Sequence, residues 1–274
     1  AHGWWLIGKD KMSKSRGNVV NPMDMAEKYG VDAFRYFLLS EMSLGQDASF
    51  SEEAFVSRYN SDLANDLGNM LSRAVKLTIR YFDGKIPAPG ILEMVDKQLY
   101  GQVAEAVDAM EKSVRELRLD RGIEQVINVV RAANRYMEQT APWTLAKKGE
   151  MERLGTVLYV ASETLRIVAG LLQPVMPEKM ALLLKTLGVS GEFSFEDLRN
   201  AGGLVPGQRI SDIDALFPRI QLESPELPKA EPKKAEPKKK AGESAKAAVP
   251  EGVVISIDDF AKVQLKTAKV LAVD

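Results

Sequence analysis

SEEAFVSRYNSDLANDLGNMLSRAVKLTIRYF, residues 51–82, sets Val56, Tyr59, Leu63, Leu67, Met70, Leu71, Ala74 and Thr78 on one stripe when its residues are placed at about 100° steps. Ser51 is suited to cap the start of a helix, and DGKIPAPG (83–90) breaks the pattern with three turn-forming residue types. The spacing predicts one long helix from Ser51 to about Phe82, apolar on one side. Asp62, Asn65, Asn69, Arg73, Lys76 and Arg80 fall on roughly the opposite face.

Downstream, further helices are expected over about 94–118, 120–139, a short one from Pro142 through Lys148, about 150–172, and from Pro177 to Leu187. Short connections between amphipathic helices indicate an antiparallel bundle. Residues 190–222 read as irregular structure packing back on it, closed by RISDIDALFPRI (209–220). Upstream, GWWLIG (3–8) reads as a strand. Asn21-Pro22 opens a helix that Gly30 stops, and VDAFRYFLLSEM (31–42) reads as a second, mostly buried helix.

The segment 223–252 is low in complexity, repeats AEPKK at 230–234 and 235–239, and reads as a spacer partly stiffened by proline. After it, VVISIDDFAKVQLKTAKVLAVD resumes strand-like alternation but needs more strands than the chain supplies. A fragment cut inside two domains is therefore expected.

Composition excludes several functions. The 274 residues include no cysteine and one histidine, His2, which leaves no disulfide framework and no thiolate or His-rich metal site. No role is assigned to His2. No apolar run approaches about 20 residues, so no membrane span is expected, and no signal peptide is visible. A cytoplasmic protein is the simplest reading. The net charge of −1 argues against a surface basic all over but leaves room for local basic patches.

One such patch is KDKMSKSR (9–16), three lysines and an arginine with one aspartate, running from a strand to Gly17. Lysines are point charges on flexible stems, suited to phosphate groups that shift during a reaction. A basic loop at the end of a sheet strand suits stabilisation of charge building on a polyphosphate, with loop closure as a gate. A merely solvated lysine loop has the same composition. The order of residues separates the two. KMSKS followed by RGNVVNP, with HG a few residues upstream, resembles the signature of class I aminoacyl-tRNA synthetases. That resemblance implies ATP with Mg2+ as substrate, bound by Lys11, Met12, Ser13, Lys14 and Ser15. It gives Lys11 and Lys14 the catalytic charge, Lys14 contributing most to the pyrophosphate in the transition state.

Two further features bear on which synthetase this resembles. Asn69 and Arg73 are four apart, so they are neighbours on the helix surface. An amide and a guanidinium together can bond the edge of an unstacked base, or form an ordinary solvent face. In QTAPW (139–143), proline ends one helix and begins another, leaving Trp143 at a bend where an indole can stack on a base or pin the corner in the core. NMLSR (69–73) and NRYMEQTAPW (134–143) resemble the anticodon-binding domain of the methionyl-tRNA synthetases. The resemblance implies that Asn69, Arg73 and Trp143 read the CAU anticodon, with Pro142 shaping the stacking surface. IDDFAKVQLKTAKV resembles the start of the OB-fold tRNA-binding module that many of these enzymes append.

The implied fold is mainly α. Residues 1–48 are the end of a Rossmann-type catalytic domain with its KMSKS loop and stem-contact helices. Residues 49–222 form an antiparallel α-helical anticodon-binding bundle, 223–252 a linker, and 253–274 the truncated start of a β OB-fold. The implied partners are tRNA(Met), ATP and methionine, with a homodimer formed through the complete OB-fold module. The HIGH motif, the methionine pocket and any zinc-binding insert would lie upstream, and no zinc ligands are expected here. A valine-, isoleucine- or leucine-type synthetase, or a non-catalytic tRNA-binding and dimerisation module, are the alternatives.

Overall fold

Asn21 begins the first helix as its sequence requires: its side chain accepts from the Met23 N–H at 3.1 Å and Pro22 occupies the first helical position. The structure, a computed structural model, describes residues 3–13, 15 and 17–221. The expectations for His2, Lys14, the linker and the OB-fold segment lie outside the described residues.

Strand β1 (Trp5–Ile7) is the centre of a small sheet. It pairs antiparallel with β2 (Asp10–Lys11), Leu6 opposite Lys11, and parallel with β3 (Ala48–Ser49), Trp5 opposite Ala48. The start of the basic run is thus folded back as a strand rather than left as loop. Helices α1 (Pro22–Tyr29) and α2 (Val31–Glu41) follow, separated by Gly30 at φ 89°. Tyr36 and Phe37 of α2 are buried, Phe37 in edge contact with Phe50 and Phe55.

The long rod predicted from Ser51 is present, but not as one α-helix. Ser51 accepts from the Ala54 N–H and opens α3 (Glu52–Arg58); Tyr59–Gly68 winds as a π-helix; α4 (Asn69–Phe82) continues it. The buried positions Phe55, Tyr59, Leu63, Leu67 and Leu71 recur every fourth residue. On an α-helix each such step drifts about 40° around the axis. The wider π turn reduces that drift and keeps the middle of the stripe against the core. The whole stripe named from the sequence is buried. Asp62 is not on the solvent face as expected: it is 6% exposed, because polar partners on two other helices meet it there.

Helices α5 (Met94–Arg115) and α6 (Leu119–Thr140) form a tight hairpin turned at Leu117, φ 57°. A Cβ at Gly122 would fall 2.5 Å from Met110 Sδ, so glycine sets how closely the pair approach. Ala141, left-handed at φ 43°, separates α6 from α7 (Pro142–Lys148). Helix α8 (Met151–Leu172) runs through the middle, packed by α4, α5, α6, α7, α9 (Pro177–Thr186) and α10 (Phe195–Arg199). Contrary to the expectation from hydropathy, α8 is long and apolar enough to cross a membrane by length and composition, but its apolar window is buried inside the bundle on every side. Helix α10, with a Ser194–Asp197 capping box, lies in a region the sequence suggested was irregular.

Two buried carboxylates tie the bundle together. Asp96 completes the α5 cap by accepting from the Glu93 N–H, and also accepts from Tyr136 of α6 at 2.7 Å and from two nitrogens of Arg153 on α8 at 2.6 and 2.9 Å. Burial pushes its carboxyl up, but these donors together outweigh burial and hold it below the usual carboxylate range. Glu163 of α8 accepts from Arg166 and from the backbone N–H groups of Gly202, Gly203 and Leu204, fixing the segment after α10 to the central helix.

Candidate nucleic-acid interface

The first turn of α4 and the α6–α7 corner supply the candidate interface. Asn69, the first residue of α4, is exposed. Arg73 lies one turn on, and its guanidinium carbon is 5.5 Å from the centroid of the Trp143 ring. Pro142 is buried and anchors α7, while the left-handed Ala141 turns the chain so that Trp143 remains 40% exposed. The structure therefore brings Arg73 and Trp143 together, although they are far apart in sequence, and leaves the indole open to a planar ligand. A wholly buried corner tryptophan, the structural alternative raised by the sequence, is not what forms.

Beside them runs a groove of about 660 Å³, with Asn65, Asn69, Ser72 and Lys76 on one wall and the 212–219 segment on the other. The far wall is held by Asn60, whose side chain both donates to the Ile220 carbonyl at 2.8 Å and accepts from its N–H at 2.9 Å. Leu216 and Phe217 are buried behind it. Sequence reasoning placed Asn65 and Lys76 on the polar face and had 209–220 packing back on the bundle, but did not set that segment beside Asn69. The run Leu216-Phe217 was the available signal, an apolar pair in an otherwise polar stretch.

The basic run forms a second constellation. Lys11 is exposed, with Nζ 3.2 Å from the Trp4 ring centroid. The Asn18 side chain accepts from the Ser13 N–H at 2.8 Å and donates to the Lys11 carbonyl at 3.3 Å, closing the loop into a ring of contacts. The Ser13 and Ser15 hydroxyls are 2.8 Å apart, Met12 packs against the core, and Gly17 takes φ 68°. Lys11, Met12, Ser13 and Ser15 are thus gathered in one turn. Among the described residues, no group of three His, Cys, Asp or Glu side chains is placed to hold a metal ion.

Residues 86–229, more than half of the chain, match the model described as the anticodon binding domain of methionyl tRNA ligase. The chain belongs to the methionyl-tRNA ligase family. Residues 1–75 match the model for class I tRNA synthetases (M). The methionine–tRNA ligase of Caldanaerobacter subterraneus subsp. tengcongensis is 40% identical over 272 residues, 98% of this chain and 41% of the relative. That of Thermotoga maritima is 37% identical over 271 residues, 99% of this chain and 40% of the relative. Mycobacterium tuberculosis methionyl-tRNA synthetase in complex with methionyl-adenylate superposes with a TM-score of 0.75 at 37% identity, over 80% of this chain and 43% of that one. The chain therefore spans well under half the length of these family members.

Proposed function

We propose that this chain carries the KMSKS loop and the anticodon-reading bundle of a cytoplasmic methionine–tRNA ligase. The complete enzyme would join methionine to the α-phosphate of ATP, supplied with Mg2+, releasing pyrophosphate. It would then move the methionyl group from that phosphate to the end of tRNA(Met), releasing AMP. The observation that carries the reading is the pairing of Arg73 with a half-open Trp143, one helical turn from Asn69. A cytosine or adenine stacked on the indole would present its edge to a planar guanidinium and an amide, which between them donate and accept.

In the loop, Lys11 and Lys14 would neutralise charge that builds on the leaving pyrophosphate, while Met12 seats the loop and Ser13 and Ser15 line the phosphates. Family membership and the loop sequence support this assignment. The 253–274 segment, as the start of an OB-fold module, would add tRNA affinity and pair two subunits once complete.

The experiment is made on the complete enzyme. Lys14→Ala is expected to slow methionine-dependent ATP–pyrophosphate exchange by several orders of magnitude while leaving tRNA affinity nearly unchanged, since its charge acts mainly in the transition state. Exchange close to that of the unmodified enzyme would remove Lys14 from its role.

A further inference from the structure

The π-helical stretch Tyr59–Gly68 ends at the residue before Asn69, and Arg131 of α6 grips it. Arg131 donates from Nη2 to Asp62 Oδ1 at 2.8 Å and from Nε to Asp66 Oδ2 at 3.0 Å, and its Nη1 bonds Asn128 on its own helix. One turn further along α6, the Asn134 side chain donates to the Asp66 carbonyl at 3.0 Å, the same carbonyl that accepts from the Asn69 N–H. Asp62 is also held by α2, with Tyr36 donating to Oδ2 at 2.8 Å. Burial, with Asp62 alongside, pushes the Tyr36 phenol well above its ordinary value, so it stays protonated as a donor.

These contacts have a direction. Helix α6 ends at the corner that presents Trp143, and the π segment runs directly into the turn that presents Asn69 and Arg73. A guanidinium bonded to two carboxylates has a fixed plane and a fixed reach. It therefore sets both the rotation of α4 and its height along α6. π-Helical turns recur at functional sites.

We infer that Arg131 is a positioning residue for anticodon reading: by locking the π segment through Asp62 and Asp66 it holds Asn69 and Arg73 in register with Trp143. This rests on the reading of those three residues as the anticodon site. Arg131 itself touches none of them.

The test is binding of the CAU anticodon stem–loop and its single-base variants to the whole chain at one salt concentration. Wild type, Arg131→Gln, Asp66→Asn and the double variant are compared, with thermal melting run alongside. Arg131→Gln is expected to lower the preference for CAU over the variants by about tenfold. Affinity for the variant loops should stay nearly constant, because the electrostatic contribution is not removed. Asp66→Asn, whose side chain is part-exposed, should reproduce most of the loss with a smaller change in melting, and the double variant should add little to either single change. A full CAU preference in both folded single variants would overturn the positioning role while leaving the anticodon site intact. Absence of any preference in wild type would overturn both.

Discussion

At the scale of single residues, the interface depends on what each side chain can do once the backbone has placed it. Arg73 can stack on Trp143 and still present its edge because a guanidinium is planar and delocalised, which an ammonium is not. Arg73→Lys therefore keeps the charge and is expected to lose base discrimination by about 1–3 kcal/mol with little loss of overall affinity. Equilibrium titration with CAU and single-base variants reads this as a collapse of the affinity ratio. The helical i, i+4 pair and the proline corner drew attention to Asn69, Arg73 and Trp143 but fit a solvent face and a core corner equally well; only the resemblance of NMLSR and NRYMEQTAPW to a known domain proposed them for the anticodon. That Arg73 and Trp143 touch was not legible as contact, since no local pattern links residues so far apart. Asp62 was misread for a related reason. A helical wheel ranks a carboxylate as solvent-facing, and nothing in the wheel reports that Tyr36 and Arg131 arrive to satisfy it.

At the scale of elements, boundaries were set by chemistry that is local. Asn21-Pro22, Ser51 and Pro142 start helices, and Gly30 and the Asp83-Gly84 turn stop them, each by a mechanism visible in a few residues. The π winding over Tyr59–Gly68 was not visible, because it answers to packing: a four-residue apolar spacing is compatible with either helix until the neighbours are known. β2, β3 and α10 were missed because two- to five-residue elements carry too little pattern of their own. Asp96 joins three helices and provides the prediction proper to this scale. Asp96→Asn removes the charge that Arg153 and Tyr136 converge on, leaving the half-buried Arg153 guanidinium with only the exposed Glu93 carboxylate, and should cost about 1–3 kcal/mol in urea unfolding. The native Asp96 carboxyl is held low, so its contribution is fully present above its unfolded value of about 3.9 and is lost as pH falls through the lower folded value. The variant should lose that part of the acid dependence; unchanged acid unfolding in Asp96→Asn would remove the carboxylate from this role.

At the scale of the whole molecule, the π segment is the hub on which the recognition elements converge. It meets the α1–α2 unit through Tyr36, α6 through Arg131 and Asn134, and the segment walling the groove through Asn60. On the anticodon reading proposed above, a chain with almost no net charge would bind RNA by this route, because such an interface needs a few placed donors and one open aromatic face rather than a basic surface. The measurement that bears most directly on this is the affinity of the whole chain for anticodon stem–loops bearing CAU and each single-base change, at one fixed salt concentration, for wild type and Trp143→Ala. The account predicts that wild type prefers CAU and that Trp143→Ala weakens CAU binding by about 1–3 kcal/mol and abolishes the preference. Equal binding of all loops by wild type, or a preference that survives the loss of the indole, would contradict it.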